Sequence, residues 1–520
     1  MTTASGASSL WAVDAALARG GEGYFDWLDH IWSAAGCTHP IRLHGHLRTI
    51  DPRTGELLRS VSTLGMPDRV IYKACGNRRT TACPSCAETY RRDAYQLIRC
   101  GLTGGKGVPG TVATHPAVFA TFTAPSFGPV HVRVIRRHTC TERSRCTCRP
   151  EPCHARRDTP ACEHGQAIAC FARHQASDLR LGQPLCPDCY DYAAHAVWNN
   201  AAGELWRRTK QAIERHLASL ARRRGLPPVR IPHGDGKYHT VSPVRVSHGK
   251  AAEFQARGAV HFHALLRLDG IDPADLEAIV PPPAAITAAD LDEAVHHAAR
   301  TIRYTTSRHP ARPQGWLIEW GGQVDVRVIT MRGANPVTDV MVAGYLAKYS
   351  TKATEATGHT SARITDGTID LHASPDGSHT ERLIHACWKL GGADGLMFGK
   401  THVWKSLRQW AHMLGFGGHF LTKGRRYSVT FGALRSVRIF YRRNETTGPQ
   451  HGPIRTADDT EQETTLIIGN FRYVGTGWKT TGDALLANTA ADLSRRRREA
   501  GREELAHEHG LSVNGQRAAA

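Results

Sequence analysis

Residues 253–267 read Glu253-Phe254-Gln255-Ala256-Arg257-Gly258-Ala259-Val260-His261-Phe262-His263-Ala264-Leu265-Leu266-Arg267. Val260, Phe262, Leu265 and Leu266 form an apolar, β-prone run, which predicts a strand carrying both histidines. Side chains two apart on a strand leave by the same face. His261 and His263 therefore project together, and Phe262 turns toward the core. Arg257-Gly258 suits the tight turn of a hairpin. The strand before it then brings Glu253 or Gln255 alongside the imidazoles. Two nitrogens and one side-chain oxygen suit a divalent cation such as Mg²⁺ or Mn²⁺, with positions left open for a phosphate oxygen.

A second stretch, Tyr345-Leu346-Ala347-Lys348-Tyr349-Ser350-Thr351-Lys352, lies in a segment from Val340 to Ala353 that reads as a helix. Tyr345 and Tyr349 are four residues apart, as are Lys348 and Lys352, and Lys352 follows Tyr349 by three, so all four share one helical face. A free phenol has a pKa of about 10 and is a poor nucleophile at neutral pH. Neighbouring ammonium groups favour the phenolate, and a metal on the scissile phosphate lowers the barrier to attack. Two tyrosines, two lysines and a metal are what a two-step phosphodiester transfer through a covalent phosphotyrosine needs.

Together, Glu-Phe-Gln-x-Arg-Gly-x-x-His-x-His at 253–263 and Tyr-x-x-Lys-Tyr-x-x-Lys at 345–352 resemble the two-tyrosine branch of the HUH endonuclease superfamily. Phe119-Ala-Thr-Phe-Thr-Ala-Pro-Ser126 stands where that superfamily has its first motif, a core strand ending here in Thr-x-Pro-Ser. Over most of residues 37–440 the chain is similar to the replication initiators of actinobacterial plasmids and integrative elements. The words Cys-Pro-x-Cys, Pro-Leu-Cys-Pro-x-Cys-Tyr and Ala-Gly-Tyr-Leu-Ala-Lys-Tyr belong to that likeness. The resemblance implies a rolling-circle initiator. In that reading Tyr349 attacks first, Tyr345 makes a second cut, and Lys348 and Lys352 orient the phosphate. It also implies origin DNA, a host helicase and a host polymerase as partners.

Composition fits a nucleic-acid partner. The 520 residues carry 66 Lys and Arg against 47 Asp and Glu, a formal charge of +19, which attracts a polyanion. Apolar residues make up 41% of the chain, but no run of 18 occurs, so no membrane span is expected. Met1 to Leu10 has neither a basic start nor a continuous apolar stretch, which argues against a signal peptide and for a cytoplasmic protein. Gly104-Gly105-Lys106-Gly107 and Gly399-Lys400-Thr401 both lack the spacing of a phosphate-binding loop, so no ATPase site is expected and unwinding falls to another protein.

Fourteen cysteines in a reducing compartment point to zinc rather than disulfides. Cys83-Pro-Ser-Cys86 is a knuckle, and Cys75 with Cys37 would complete an all-cysteine tetrahedron. A second cysteine-rich stretch at about 136–190 is loop-rich and needs a staple. Cys186-Pro-Asp-Cys189 is its knuckle, Cys162 and Cys170 are the first choice of partners, and Cys148, Cys153 and His164 are alternatives.

Three regions follow: 1–110, helical with a zinc knuckle; 111–440, a nuclease core carrying the insertion at about 136–190; and 441–520, a basic and partly disordered extension. Within the core, Val118 to Pro125 predicts a strand, Ala193 to Arg224 a long helix, Leu291 to Tyr304 a second helix, and Asp325 to Ile329 another strand. That order fits an α+β core, a central antiparallel sheet with helices on one face, as in the HUH fold. Arg207 and Arg208 on the long helix, and Arg425 and Arg426 in an aromatic and basic stretch at 396–442, are candidate DNA contacts. Two other readings compete. An HUH transposase or relaxase would use the same chemistry, whereas a zinc-stapled DNA-binding regulator would use the cysteines and the charge without catalysis.

Overall fold

The computed structural model describes residues 21–135, 148–156, 161–233, 236–329, 339–351, 363–392, 397–398, 401–402, 404–446 and 466–508. The chain forms two compact units, one of residues 94–430 and one joining residues 1–93 to 431–520.

The larger unit is organised on a five-stranded sheet. Its elements in chain order are strand β1 (Ala117–Phe122), helix α1 (Tyr192–Arg223), strands β2 (Arg245–Phe254) and β3 (Val260–Asp269), helix α2 (Ala288–Thr301), strand β4 (Val324–Val328), helices α3 (Asp339–Tyr349) and α4 (His379–Leu390), and strand β5 (Leu421–Lys423). The strand order is β4-β1-β3-β2-β5, with every neighbouring pair antiparallel. β2 and β3 are the expected hairpin. Its turn is closed by Gly258 N–H donating to Gln255 O over 2.8 Å and Gln255 N–H donating to Ala259 O over 2.9 Å. Gly258 takes φ +81°, which a residue without a Cβ adopts at no steric cost.

β3 is the central strand and is covered on both faces. Phe262, Ala264, Leu266 and Leu268 enter the main core, where Phe262 meets Trp206 of α1 at 6.3 Å and Trp320 at 5.8 Å between ring centroids. The long helix is therefore the principal lid of that face, and Trp198, Leu205, Ile213 and Leu217 are buried beneath it. It starts at Asp191, whose carboxylate accepts from Ala194 N–H at 2.8 Å. α2 begins with a reciprocal cap between Thr287 and Asp290 and packs into the same core.

The opposite face carries His261 and His263, and α3 packs there: Tyr345 lies 4.9 Å and Tyr349 5.5 Å from the His263 ring. Helices thus lie on both faces of the sheet, not on one as the element order implied. A strand as apolar as β3 needs cover on each side.

The smaller unit is built across the chain's two ends. Strand Ile41–Ile50 pairs with Leu466–Thr476 along its length (Ile41 opposite Thr476, Ile50 opposite Leu466) and with Leu57–Ser62 and Ile71–Lys73. Helices Gly21–Ile31 and Thr481–Glu508 lie in the same unit. A small core of Trp27, Ile31, Tyr72 and Ala487 closes it, with Trp478 stacked on Tyr72 at 5.0 Å. The expected separate regions 1–110 and 441–520 are therefore corrected. The strand at 466–476 completes a sheet begun at 41–50, and backbone pairing outweighs the polar composition that made the segment read as an extension.

Candidate active site and metal centres

The register of the hairpin sets Glu253 directly opposite His261 and Ala251 opposite His263. Antiparallel partners and two-residue neighbours on one face converge. Glu253 Oε2 lies 3.1 Å from His261 Nε2 and 3.3 Å from His263 Nε2. Cis ligands of an octahedral Mg²⁺ at about 2.1 Å are separated by about 3 Å, so both spacings suit neighbouring ligands of such an ion. A cation held there would keep further positions for water or phosphate. Gln255 does not join them. It sits past the end of β2, and its Oε1 accepts from Arg257 Nε at 2.9 Å. Of the two candidates for third ligand, Glu253 is therefore the one the fold brings to the histidines.

Two further side chains hold His263. Thr121 of β1, its cross-strand neighbour, lies with Oγ1 3.1 Å from Nδ1, which fixes the ring so that Nε2 faces Glu253. Phe119 stacks on the imidazole, with centroids 5.9 Å apart and planes 8° apart. Burial lowers the pKa of His263, which keeps its imidazole neutral and able to ligate. Burial acts to raise Glu253, but the two imidazoles outweigh it and hold the carboxyl below its ordinary value. The stretch 119–126 stands out in the sequence as a motif strand, but its pairing of Thr121 and Phe119 with His263 does not, because only the strand register supplies it.

The tyrosines stand on the same spot. The rings of Tyr345 and Tyr349 are 4.5 Å apart, and Tyr345 Oη is 3.5 Å from His263 Nε2. Burial raises both phenols. A hydrogen bond between them acts in opposite directions, raising Tyr345 and lowering Tyr349, as when Tyr345 donates to Tyr349. α3 ends at Tyr349, short of the expected Ala353, and Lys348 is exposed beside it. Lys352 lies outside the described residues.

Three cysteine and histidine groups stand apart from this site. Cys37, Cys75, Cys83 and Cys86 gather in the smaller unit, with Sγ atoms 3.6 Å apart for Cys75 and Cys86 and 3.9 Å for Cys37 and Cys83. Zn–S bonds of about 2.3 Å give a tetrahedral edge of about 3.8 Å, so the set fits zinc. The second group corrects the expected partners of the 186–189 knuckle. Cys162, Cys186 and Cys189 are joined by His164, whose Nδ1 is 3.2 Å from Cys189 Sγ, and not by Cys170. Cys170 is held elsewhere, in a group with His131, Cys153 and His174. Its backbone exchanges hydrogen bonds with that of His154 (2.7 and 2.9 Å), which draws it beside Cys153.

The candidate DNA contacts are engaged within the protein. Arg207 and Arg208 both reach Glu204, at 2.6 and 2.8 Å, and Arg425 and Arg426 both reach Glu277, at 3.1 and 2.8 Å. Exposed pairs of this kind contribute about 0–1 kcal/mol, so a phosphate can displace the carboxylate. Several of the described aromatic residues at 396–442 are not offered for stacking. Trp404 and Tyr427 are buried, and Tyr427 Oη donates to Ile98 O at 2.8 Å.

Among the described residues no helix is long and apolar enough to cross a membrane. No solved structure matches the chain. A curated replication initiator protein from Streptomyces ambofaciens is 40% identical over 486 residues, covering 92% of each chain. The family model described as RepSA, replication initiator protein, pSAM2, matches residues 23–492, a span that includes both tyrosines, the His-x-His strand and all three metal-ligand groups. The chain therefore belongs to the RepSA family of actinobacterial plasmid replication initiators.

Proposed function

We propose that this initiator nicks and rejoins origin DNA through a 5′-phosphotyrosine, and so starts rolling-circle replication. The observation that carries the reading is the meeting of the Glu253, His261 and His263 set with two phenols, Tyr345 Oη lying 3.5 Å from His263 Nε2. A divalent cation, Mg²⁺ or Mn²⁺, would polarise the scissile phosphate there.

Tyr349 supplies the nucleophile. As the phenol gives up its proton to solvent, its oxygen bonds to phosphorus while the bond from phosphorus to the 3′-oxygen breaks. The electron pair of that bond leaves with the 3′-oxygen, which takes a proton and becomes the 3′-OH that a host polymerase extends. Tyr345, four residues earlier, is available for the cut that ends the round. Lys348 and Lys352 offset the negative charge that develops on the phosphate. Arg207, Arg208, Arg425 and Arg426 hold flanking phosphates. The cysteine sets, Cys37/Cys75/Cys83/Cys86 and Cys162/His164/Cys186/Cys189, bind structural zinc, since four protein ligands leave no open position. A host helicase supplies unwinding, because none of the Gly-Lys words in the sequence (105–106, 236–237, 249–250 and 399–400) has phosphate-loop spacing.

The test is a denaturing gel shift with single-stranded oligonucleotides tiled across the DNA beside the gene, in Mn²⁺ or in EDTA. A metal-dependent, protease-sensitive adduct that survives denaturation is expected on one tile. Native binding with no adduct on any tile would instead make the protein a regulator without catalysis.

A further inference from the structure

His131, Cys153, Cys170 and His174 lie outside the active site and outside both cysteine knuckles. Their ligand atoms are spaced as a tetrahedral shell requires. His131 Nδ1 is 3.1 Å from His174 Nε2, Cys170 Sγ is 3.5 Å from that same nitrogen, and Cys153 Sγ is 3.8 Å from His131 Nδ1. Zinc bonds of about 2.3 Å to sulfur and about 2.0 Å to nitrogen give edges of about 3.6 Å between S and N and about 3.3 Å between two N atoms. His174 is only 1% exposed. Its other nitrogen, Nδ1, lies 2.6 Å from Asp178 Oδ2, the arrangement in which a carboxylate orients a ligating imidazole. Val132 N–H donates to Cys153 Sγ at 3.2 Å, a bond that favours a thiolate.

We infer that these four residues bind a zinc ion of their own, a third structural zinc in the chain. The ligands of the two insertion sites alternate along the sequence. His131 and Cys153 come first, then Cys162 and His164, then Cys170 and His174, then Cys186 and Cys189. Each site thus spans half of the other, and the insertion is cross-braced. Such interleaving lets a loop-rich segment hold one conformation with little apolar core.

The brace has a mechanical consequence for the sheet. His131 is paired through its backbone with Gly182 and Gln183, at 2.9 and 2.8 Å. Gly182, at φ +83°, rests on the β2–β3 turn so closely that a Cβ there would lie 2.4 Å from Ala256 C. Arg257 of that turn donates to Pro125 O at 2.9 Å and Ala124 O at 3.0 Å, past the end of β1. The third zinc therefore steadies the turn that precedes His261.

The test is zinc stoichiometry on the full-length chain, saturated with Zn²⁺, desalted and examined by native mass spectrometry with elemental analysis. Because Glu253, His261 and His263 can also take zinc, the count is made in a His261→Ala/His263→Ala background as well as in the natural sequence; three zinc ions per chain are expected in that background, and two or fewer there would overturn the inference. His174→Gln should lose at least one, and a count equal to that of the natural sequence would overturn it. If that variant fails to fold, Asp178→Asn keeps all four ligands and still decides. It should release one zinc to a competing chelator at about 10–100-fold lower chelator concentration, and an unchanged release profile would show that His174 is not a ligand.

Discussion

Tyr345 Oη lies 3.5 Å from His263 Nε2, the same nitrogen that lies 3.3 Å from Glu253 Oε2. One imidazole edge is thus shared between the carboxylate that completes the metal set and the helix that carries the phenols. The relation depends on α3 packing against the His-x-His face of β3. A nucleophile four residues along the same helix remains within reach of the same phosphate, since residues i and i+4 are neighbours. The two phenols are not equivalent, however, because the bond between them raises one and lowers the other.

Tyr349→Phe should abolish the covalent adduct with an origin oligonucleotide. Tyr345→Phe should retain it, at a rate reduced by about fivefold for loss of a hydrogen bond worth about 1 kcal/mol. Denaturing gels of both variants with the same labelled strand make the comparison. Adduct from Tyr349→Phe at the natural rate would make Tyr345 the first nucleophile.

Glu253→Gln keeps the size of the side chain but removes the charge that holds a divalent cation beside the His261 and His263 imidazoles. Metal-dependent nicking should fall by at least about 100-fold. Thr121→Val leaves all three ligands and removes the partner of His263 Nδ1, so its Mn²⁺ affinity should fall by about 10–100-fold. Nicking of a labelled origin strand reads the first, and titration calorimetry with Mn²⁺ reads the second. Equal affinity in Thr121→Val and the natural protein would mean that β1 does not orient the ring.

The hairpin, its turn and the tyrosine helix were legible because each depends on local periodicity and on one glycine. What sequence could not supply is distance between segments. Thr121 meets His263 only through the β1–β3 register, and His131 meets His174 only because the insertion folds back beside β1. For the same reason Cys170 falls in the other set, and His164, one of the open alternatives, joins Cys162 at the knuckle. Ligand spacing identifies a knuckle but cannot tell interleaved pairs from consecutive ones. The strand at 466–476 shows a different limit: its polar neighbours hid a partner more than 400 residues away, and antiparallel pairing needs no local signal. At 396–442, alternating aromatic and basic residues suit a buried face as well as a binding surface, and burial decides that Trp404 and Tyr427 belong to the interior.

Lys250 on β2 is turned into the core, with Nζ 3.6 Å from the Phe262 ring centroid, and burial lowers its pKa to about 7. In the unfolded chain a lysine titrates near 10.4. Between those values the unfolded state binds more protons, so stability should rise with pH from about 7 to about 10. The cost of burying the amine is fully present below the folded value and relieved above the unfolded one. Lys250→Met should therefore stabilise the protein at pH 7, by about 1–4 kcal/mol, and flatten the pH dependence. Urea unfolding at pH 7 and pH 9 measures both effects. A variant less stable at pH 7, with the slope retained, would show that the ammonium is favourable where it lies.

Asn199 carries the last expectation. It is wholly buried in α1 and makes three bonds to backbone: Nδ2 donates to Gly258 O at 3.0 Å and Leu414 O at 2.9 Å, and Oδ1 accepts from Val260 N–H at 2.9 Å. Two of these grip the turn and the first residue of β3, next to His261. Asn199→Ala would leave two carbonyls and one N–H in a dry interior, each costing about 1–3 kcal/mol. A loss of about 3 kcal/mol or more in urea unfolding is expected. Asn199→Asp keeps the acceptor for Val260 but removes both donors, and adds a buried charge, so it should be no better tolerated. The effect on function separates this from a general loss of stability. At a temperature where Asn199→Ala is still fully folded, its Mn²⁺ affinity should fall, because the hairpin end that sets His261 against Glu253 has lost its tie to the helix. Natural affinity in the folded variant would mean that β-pairing alone holds the histidines in place.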